Sequence, residues 1–433
     1  MEIFNREYWG KVALAAQLVE LGHSVTIGYN HRVRHFATMG NRDDIFMETK
    51  GKISTTMEHL DDLRGRGMTL VGQDEEAGIS FSKFSDFSKA RPEVAGVSYF
   101  DAFFAWGLGD RKEFHEFSES SKIHQTGSPR TLFWGEFGAN FFQSEIEETV
   151  NRYGKYVLIV SNTTSQNSII TKRQLRGIMA EMQYGDSYSK VLDSRAAWEK
   201  DAFKQTLNVI EHILTNSELN ILIRPHPVED PLVWKKLFAG NARIFVEKEG
   251  SGTPAIHGAV AVLHAGSTLG LEAAVSELRT ISLKGLIHSE EVEMSANELS
   301  FAIKEMSELI PAILSEEQSL LNHRRAEELI TRWSDPTVLA DQARIMLETK
   351  STSATPKENL KNELGSSHQL KRILRRIRYG KSPAEPMHKN KRPPISLSKF
   401  EEDIHRLHAF LGFHKEFVVT QISESTFDVV PSR

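Results

Sequence analysis

A chain of 433 residues is long enough for more than one hydrophobic core, since single cores stop growing at about 250–300 residues. Its 39% apolar and 26% charged residues are ordinary for a globular protein, and a net charge of -5 gives no global reason to expect nucleic acid as a partner. The absence of cysteine excludes disulfides and thiolate metal sites, and no apolar run approaches the roughly 20 residues of a membrane-spanning helix.

The opening residues, Met1 to Glu7, lack the apolar core of a signal peptide, so a cytoplasmic protein is expected. Val12, Leu14, Ala15, Leu18, Val19 and Leu21 fall on one face of a helix over 8–22, punctuated by Gly22-His23. Ser24 to Gly28 reads as a short buried strand, and a helix feeding such a strand predicts the second half of a βαβ unit. Only Glu2-Ile3-Phe4 is left for the strand that should come first, so that strand is very short or the chain starts late. The alternation continues with helix 54–66, strand 68–72, helix 86–95, the apolar stretch 99–106, a turn at Gly127 to Arg130 and helix 143–152.

A new series opens at Tyr156 to Ser161 and runs through helix 194–216 and strands 220–223, 243–246 and 259–263. Helix 268–276 and strand 279–283 extend it. Two such series in tandem predict an α/β protein of two Rossmann-like domains, 1–153 and 154–348, facing each other across a cleft. Polar, proline-containing stretches then mark a linker over 349–395. Inside it, 370–378 interleaves Lys and Arg with Leu370, Ile373, Leu374 and Ile377. That pattern suits peripheral contact with an anionic membrane surface, and equally a solvated helix packed on the body. Residues 396–433 read as a helix and a hairpin, a C-terminal α+β appendage.

The strongest chemical signal is a pair of segments in the second series. Arg224-Pro225-His226-Pro227 ends one buried strand, at the sheet edge where ligands bind, and its prolines stiffen the turn that displays Arg224 and His226. His264-Ala265-Gly266-Ser267-Thr268-Leu269-Gly270-Leu271-Glu272 ends another and runs straight into a helix. Gly266 permits close backbone approach, and Ser267 and Thr268 set hydroxyls beside the free N–H groups of the helix start, which suits a phosphate. The plainer reading makes Ser267 an N-cap and His264 a satisfied core histidine.

In the first series, Asp74, Glu75 and Glu76 follow a strand. Like charges crowded in a cleft raise at least one pKa, which suits a general base; an exposed acidic turn is the alternative. Trp106 reads as core rather than as a sugar platform, and Arg130, beside a Ser-Pro turn, is placed to meet a carboxylate or phosphate.

With these residues in view, the sequence resembles the bacterial surface carbohydrate biosynthesis family, itself similar to GT-B enzymes that use CMP- or CDP-activated donors. The matching stretches are Arg6-Glu7 with Gly10-Lys11, Asp74 to Glu76, Asp101 to Gly107, Thr126 to Arg130, Arg224 to Pro227 and His264 to Glu272. In the similar sialyltransferases and Kdo transferases, an acidic-acidic-glycine motif supplies the catalytic carboxylate and a His-Pro motif grips the nucleotide phosphate. The resemblance therefore implies Asp74, Glu75 or Glu76 as the catalytic carboxylate. It implies Arg224, His226, His264, Gly266, Ser267, Thr268 and Glu272 around the nucleotide, and Lys11, Asp101, Ser128 and Arg130 toward acceptor or sugar. Ala77 stands before Gly78, a departure from the motif that leaves open which carboxylate corresponds.

A GT-B-like glycosyltransferase is thus expected, with a nucleotide-sugar donor, a glycan or lipid-linked acceptor, no resident cofactor and no metal. A polyol-phosphate transferase using CDP-glycerol would need the same turns, and a sugar-nucleotide 2-epimerase has a related body. A non-catalytic nucleotide-sugar-binding module would keep ligand binding without the carboxylates.

Overall fold

The computed structural model describes residues 1, 3–40, 43–49, 57–75, 94–115, 118–169, 186–288, 295–315, 322–349 and 391–432. Glu76, the basic segment 370–378 and most of helix 86–95 lie outside these.

The helix Phe4–Glu20 comes first and is buried nearly all round, from Val12 to Ala16 and at Leu18 and Val19, as a helix enclosed by other elements must be. It ends where Gly22, at φ 90°, lets its N–H reach Val19 O at 2.8 Å while His23 N–H reaches Leu18 O at 3.0 Å. Strand β1 (Val25–Gly28) follows. Next come β2 (Ile45–Glu48), β3 (Thr69–Gln73), β4 (Ala102–Ala105) and β5 (Ile123–Gln125), paired in that order as a parallel sheet. All residues of β3 and β4 are buried, as expected for parallel strands covered on both faces.

The second parallel sheet holds β6 (Tyr156–Val160), β7 (Asn220–Arg224), β8 (Ile244–Val246), β9 (Ala261–His264), β10 (Thr280–Ser282) and β11 (Phe301–Ala302). Its spatial order is β11-β10-β9-β6-β7-β8. The chain leaves β6 in one direction through β7 and β8, then returns to its other side with β9. That reversal is a topological switch point, and it opens a crevice at the C-terminal ends of β6, β7 and β9.

Strand β1 departs from expectation. It does not continue a parallel βαβ unit but pairs antiparallel with the C-terminal strand, in register Val25↔Val429 to Gly28↔Thr426. Its burial is compatible with that pairing: Val25 is half-buried and Thr26 exposed, so the strand is not covered throughout as strands of a buried parallel sheet are. The hairpin β12 (Phe417–Ser423) and β13 (Thr426–Pro431) completes this third sheet. The helix Leu397–Phe410 buries Phe400, Ile404 and Leu407 in the same core as the first helix, and the Phe400 and Phe427 rings stack at 4.2 Å. The C-terminal α+β segment is therefore built into the first core. Among the described residues no strand precedes the helix Phe4–Glu20.

The helix Thr337–Glu348 returns from the second half to the first, burying Val338, Leu339, Ala343 and Met346 beside Val12 and Leu14. Trp106 and Trp134 of the first half share a further core cluster with Leu271, Ala274 and Val275 of the second. Two α/β units with parallel sheets joined in this way are a GT-B-like architecture. No helix among the described residues is long and apolar enough to cross a membrane.

Candidate active site

The site forms where the C-terminal ends of the two parallel sheets meet. From the first half, β3 ends at Asp74 and Glu75, β4 at Trp106, and β5 at the turn Thr126 to Arg130. Asp74, Glu75, Ser128 and Arg130 are all buried. Lys11 Nζ stands 2.5 Å from Glu75 Oε1, so the first helix and the end of β3 are joined by a buried ion pair. Among the described residues the other carboxylate oxygen, Glu75 Oε2, accepts no hydrogen bond.

Arg130 lies over this pair. Its Nη1 donates to the Glu75 carbonyl at 3.3 Å, and its guanidinium sits 5.6 Å from the Trp106 ring centroid and 5.4 Å from that of Trp134. Each such cation–π contact contributes about 0.5–2 kcal/mol. The turn is fixed beneath: Ser128 O accepts the Thr131 hydroxyl at 2.8 Å, and Ser128 Oγ accepts the Arg130 N–H at 3.3 Å. Gly10 lets the first helix press against it, since a Cβ there would fall 2.7 Å from Arg130 N. Burial, with the like charge of Arg6 next, pushes the Arg130 guanidinium down to about 10.

Asp101 is not part of this cluster. It precedes β4, at the opposite edge of the sheet, where its carboxylate accepts the Leu70 N–H at 2.8 Å and faces Arg64 at 3.7 Å.

On the second half, the crevice residues are Ser161 to Thr163 after β6, Arg224 to His226 from the last residue of β7 onward and His264 to Ser267 from the last residue of β9 onward. Arg224 is buried and donates to the carbonyls of Glu249 at 3.1 Å and Gly250 at 2.5 Å, so it braces the loop after β8; burial lowers its pKa. His226 is half-buried, and its Nδ1 accepts the Val228 N–H at 3.2 Å. Asn162 Nδ2 donates to Gly266 O at 2.8 Å and ties the ends of β6 and β9 together.

His264 is fully buried. Its Nδ1 accepts the Gly266 N–H at 3.0 Å, so its Nε2 carries the proton toward Ser300 Oγ at 2.9 Å, and Ser300 donates onward to Ala296 O. Burial holds the ring neutral, pushing its pKa down to about 4. Ser267 Oγ accepts the Leu269 N–H at 3.1 Å and caps the helix Thr268–Val275. The remaining first-turn amides of that helix have no partner in its own ladder. Thr268 is half-buried at this helix start. Glu272 lies one turn further in, buried, accepting the Thr253 hydroxyl at 2.7 Å, and burial raises it to about 7. Arg130 and Arg224 are both close enough to oppose that rise, so Glu272 sees cations from both halves.

Glu229 was not singled out from the sequence. It is fully buried three residues after His226 and accepts from Thr163 N at 2.5 Å, Ser161 Oγ at 2.9 Å, Asn167 Nδ2 at 3.1 Å and Trp234 Nε1 at 3.1 Å. It locks the turn after β7 to the loop after β6. The available signal was its place in Arg224-Pro225-His226-Pro227-Val228-Glu229, an acid directly behind a stiff turn. Trp134 and Thr253 carry no sequence signal at all. Among the described residues, no group of His, Asp and Glu has the arrangement of a metal site.

The fold and this buried charge cluster define a two-unit α/β protein with a candidate site between its two parallel sheets. No protein-family model matches the sequence, and no curated protein matches it. Solved structures are similar at a distance. The UDP-GlcNAc 2-epimerase of Methanocaldococcus jannaschii is 12% identical at a TM-score of 0.46, over 73% of this chain and 83% of that one. The UDP-GlcNAc 2-epimerase of Neisseria meningitidis, bound to UDP-GlcNAc, is 13% identical at a TM-score of 0.41, over 74% and 78%. A variant of the wall teichoic acid polymerase TagF soaked with CDPG is 9% identical at a TM-score of 0.38, over 70% and 71%.

Proposed function

We propose that the cleft binds a nucleotide-activated sugar and transfers the sugar to an acceptor hydroxyl. One observation carries this reading: Glu75, whose Oε2 accepts no hydrogen bond among the described residues, and Glu272 of the helix Thr268–Val275 both act on Arg130, which puts the first-half carboxylate and the second-half helix at one junction. The nucleotide lies on the second half, its phosphate against the first-turn amides of the helix Thr268–Val275 and beside His226. Arg224 acts from behind, holding the loop after β8 in place. The acceptor enters from the first half.

In the transfer, Glu75 Oε2 takes the acceptor hydroxyl proton and the acceptor oxygen bonds to the anomeric carbon. The bond from that carbon to the donor phosphate breaks, its electron pair leaving on the phosphate oxygen. Helix amides and cations already in position stabilise that charge without reorganisation. Lys11 keeps Glu75 oriented. Asp74, adjacent and buried, is the second candidate for the same role.

A thermal-shift screen of CMP, CDP, UDP and GDP on the native protein and on His226→Ala tests the binding half, since a ligand of the native state raises the melting temperature. Stabilisation by a cytidine nucleotide that His226→Ala abolishes supports the reading. A uridine preference with an acceptor-free product turns it into a 2-epimerase. Binding that survives Glu75→Gln, with no turnover by the native chain, turns it into a binding module. No response to any nucleotide overturns it.

A further inference from the structure

Arg130 is a buried cation that makes no direct ion pair among the described residues, although Glu7, Glu75 and Glu272 are near enough to act on its charge. Glu7 accepts from Arg6 Nη2 at 2.8 Å, Glu75 Oε1 faces Lys11 at 2.5 Å, and Glu272 accepts the Thr253 hydroxyl at 2.7 Å. Arg130 itself, only 7% exposed, has a single side-chain hydrogen bond among the described residues, the 3.3 Å contact with the Glu75 carbonyl. A guanidinium presents five donors in a rigid fork shaped for a carboxylate or a phosphate. Taking that charge out of water is costly unless it is paired, and two indole faces with one long hydrogen bond are not a pair. They are a seat: Trp106 and Trp134 meet edge to face at 5.9 Å, and they fix where the fork lies.

Cations and carboxylates are interleaved around it: Arg6, Lys11 and Arg130 stand with Glu7, Asp74 and Glu75 on the first half, and Arg224 with Glu247, Glu249 and Glu272 on the second. We infer that Arg130, seated against both Trp106 and Trp134, receives an anionic group of the substrate, a carboxylate or a phosphate, directly beside Glu75. Resting on the reading of the cleft as the transfer site, this makes one of the two substrates acidic beyond the nucleotide phosphate: a sugar acid or a phosphorylated sugar or polyol.

The test uses the whole chain and three forms, native, Arg130→Met and Arg130→Lys, with folding checked by circular dichroism. Inorganic phosphate and glucuronate are titrated at ionic strength held constant with chloride, glucose serving as the uncharged control. Saturable binding of at least one anion by the native protein, weakened at least tenfold in Arg130→Met and not shared by glucose, is the expected result. Which anion binds identifies the source, phosphate for a phosphorylated substrate and glucuronate for a sugar acid. Equal affinity in native and Arg130→Met, or no saturable anion binding by the native chain, overturns the inference. If Arg130→Met does not fold, Arg130→Lys decides, because it keeps the charge but loses the fork; unchanged affinity there overturns it. CMP and UDP titrated on the same variants separate the two ideas. Nucleotide binding kept in Arg130→Met while the anion is lost supports both, whereas an Arg130-dependent anion with no nucleotide bound sinks only the transferase reading.

Discussion

Lys11 Nζ and Glu75 Oε1 stand 2.5 Å apart, both nearly inaccessible, and this pair joins the first helix to the end of β3. Removing one partner of a buried ion pair strands the other, at a cost of about 3–5 kcal/mol. Lys11→Met and Glu75→Gln should each lose stability of that order. The double variant should lose much less than the sum, because neither charge is then left alone. Urea midpoints of the four forms measure the coupling; strict additivity would mean that the two groups do not interact. Glu75→Gln should also abolish transfer while leaving nucleotide affinity intact.

Glu272 gives a pH dependence with a definite sign. Burial raises it from 4.5 to about 7, so between those values the folded chain holds a proton that the unfolded chain has released. Stability therefore falls as pH rises through this window and levels off above it, by about 3 kcal/mol in all. His264, lowered from 6.5 to about 4, acts in the opposite sense, adding stability as pH rises across its own window. The two slopes overlap between, so the native curve alone does not separate them. Glu272→Gln mimics the protonated acid and keeps an acceptor for Thr253. Subtracting its stability-versus-pH curve from the native one should leave a falling slope from pH 4.5 to 7. A flat difference would remove Glu272 from the account.

Glu229 is the acceptor on which the crevice is hung, with donors from Ser161, Thr163, Asn167 and Trp234 around one carboxylate. Glu229→Gln replaces one acceptor oxygen by a donor facing donors, and Glu229→Leu leaves every one of those donors unmet. A hydrogen bond to a charged group contributes about 1.5–3 kcal/mol, and an unsatisfied buried donor costs about 1–3 kcal/mol. A loss of about 2–4 kcal/mol for Gln, and more for Leu, is expected in chemical denaturation. Because the turn carrying His226 is tied to the same acid, nucleotide affinity should drop even under conditions where Glu229→Gln is fully folded. Unchanged affinity there would confine Glu229 to the fold.

The central strands could be read because they are short buried runs, and Leu158 or Ile223 announces itself by type alone. The sheet edge carrying Arg224-Pro225-His226 and His264 to Ser267 could be read from two of those runs, but the strand order that makes it a switch point could not. What could not be read was partnership. The alternation of the first residues suggested a parallel unit for Val25 to Gly28, yet the partner is Thr426 to Val429, some four hundred residues away, and nothing local in either strand specifies that pairing. The same holds for Arg130. Its Ser-Pro turn was visible, but its seat depends on Trp134 folding back onto Trp106, and the neighbouring carboxylates come from the first helix, β3 and the second half. Asp101 illustrates the converse: adjacent in sequence to β4, it sits at the far edge of the sheet from Trp106.

The turn that carries Arg130 is held from outside by the strand of chain leading into the helix Thr337–Glu348, and Gly127 is where the two touch. Gly127 has φ 84°, and a Cβ there would fall 2.1 Å from Thr331 O. That carbonyl has little room to move, since Thr331 N–H bonds Trp106 O at 2.6 Å and Thr331 Oγ1 accepts from Gln125 at 2.8 Å. The Gly127 carbonyl is fixed as well, accepting Gln73 Nε2 at 3.1 Å and Gln342 Nε2 at 2.9 Å. Gly127→Ala should therefore combine two costs, left-handed strain of about 1–2 kcal/mol and a backbone clash. Gly22 separates them: its φ is 90°, and nothing lies within 4 Å of a Cβ built there. Gly22→Ala should lose only the strain, about 1–2 kcal/mol, whereas Gly127→Ala should lose at least about 3 kcal/mol, within the range of severe single substitutions. It should also weaken anion binding at Arg130, because the turn cannot take the side chain without shifting. Equal losses at the two glycines would mean that Thr331 does not press on the turn, and the external support of Arg130 would have to be abandoned.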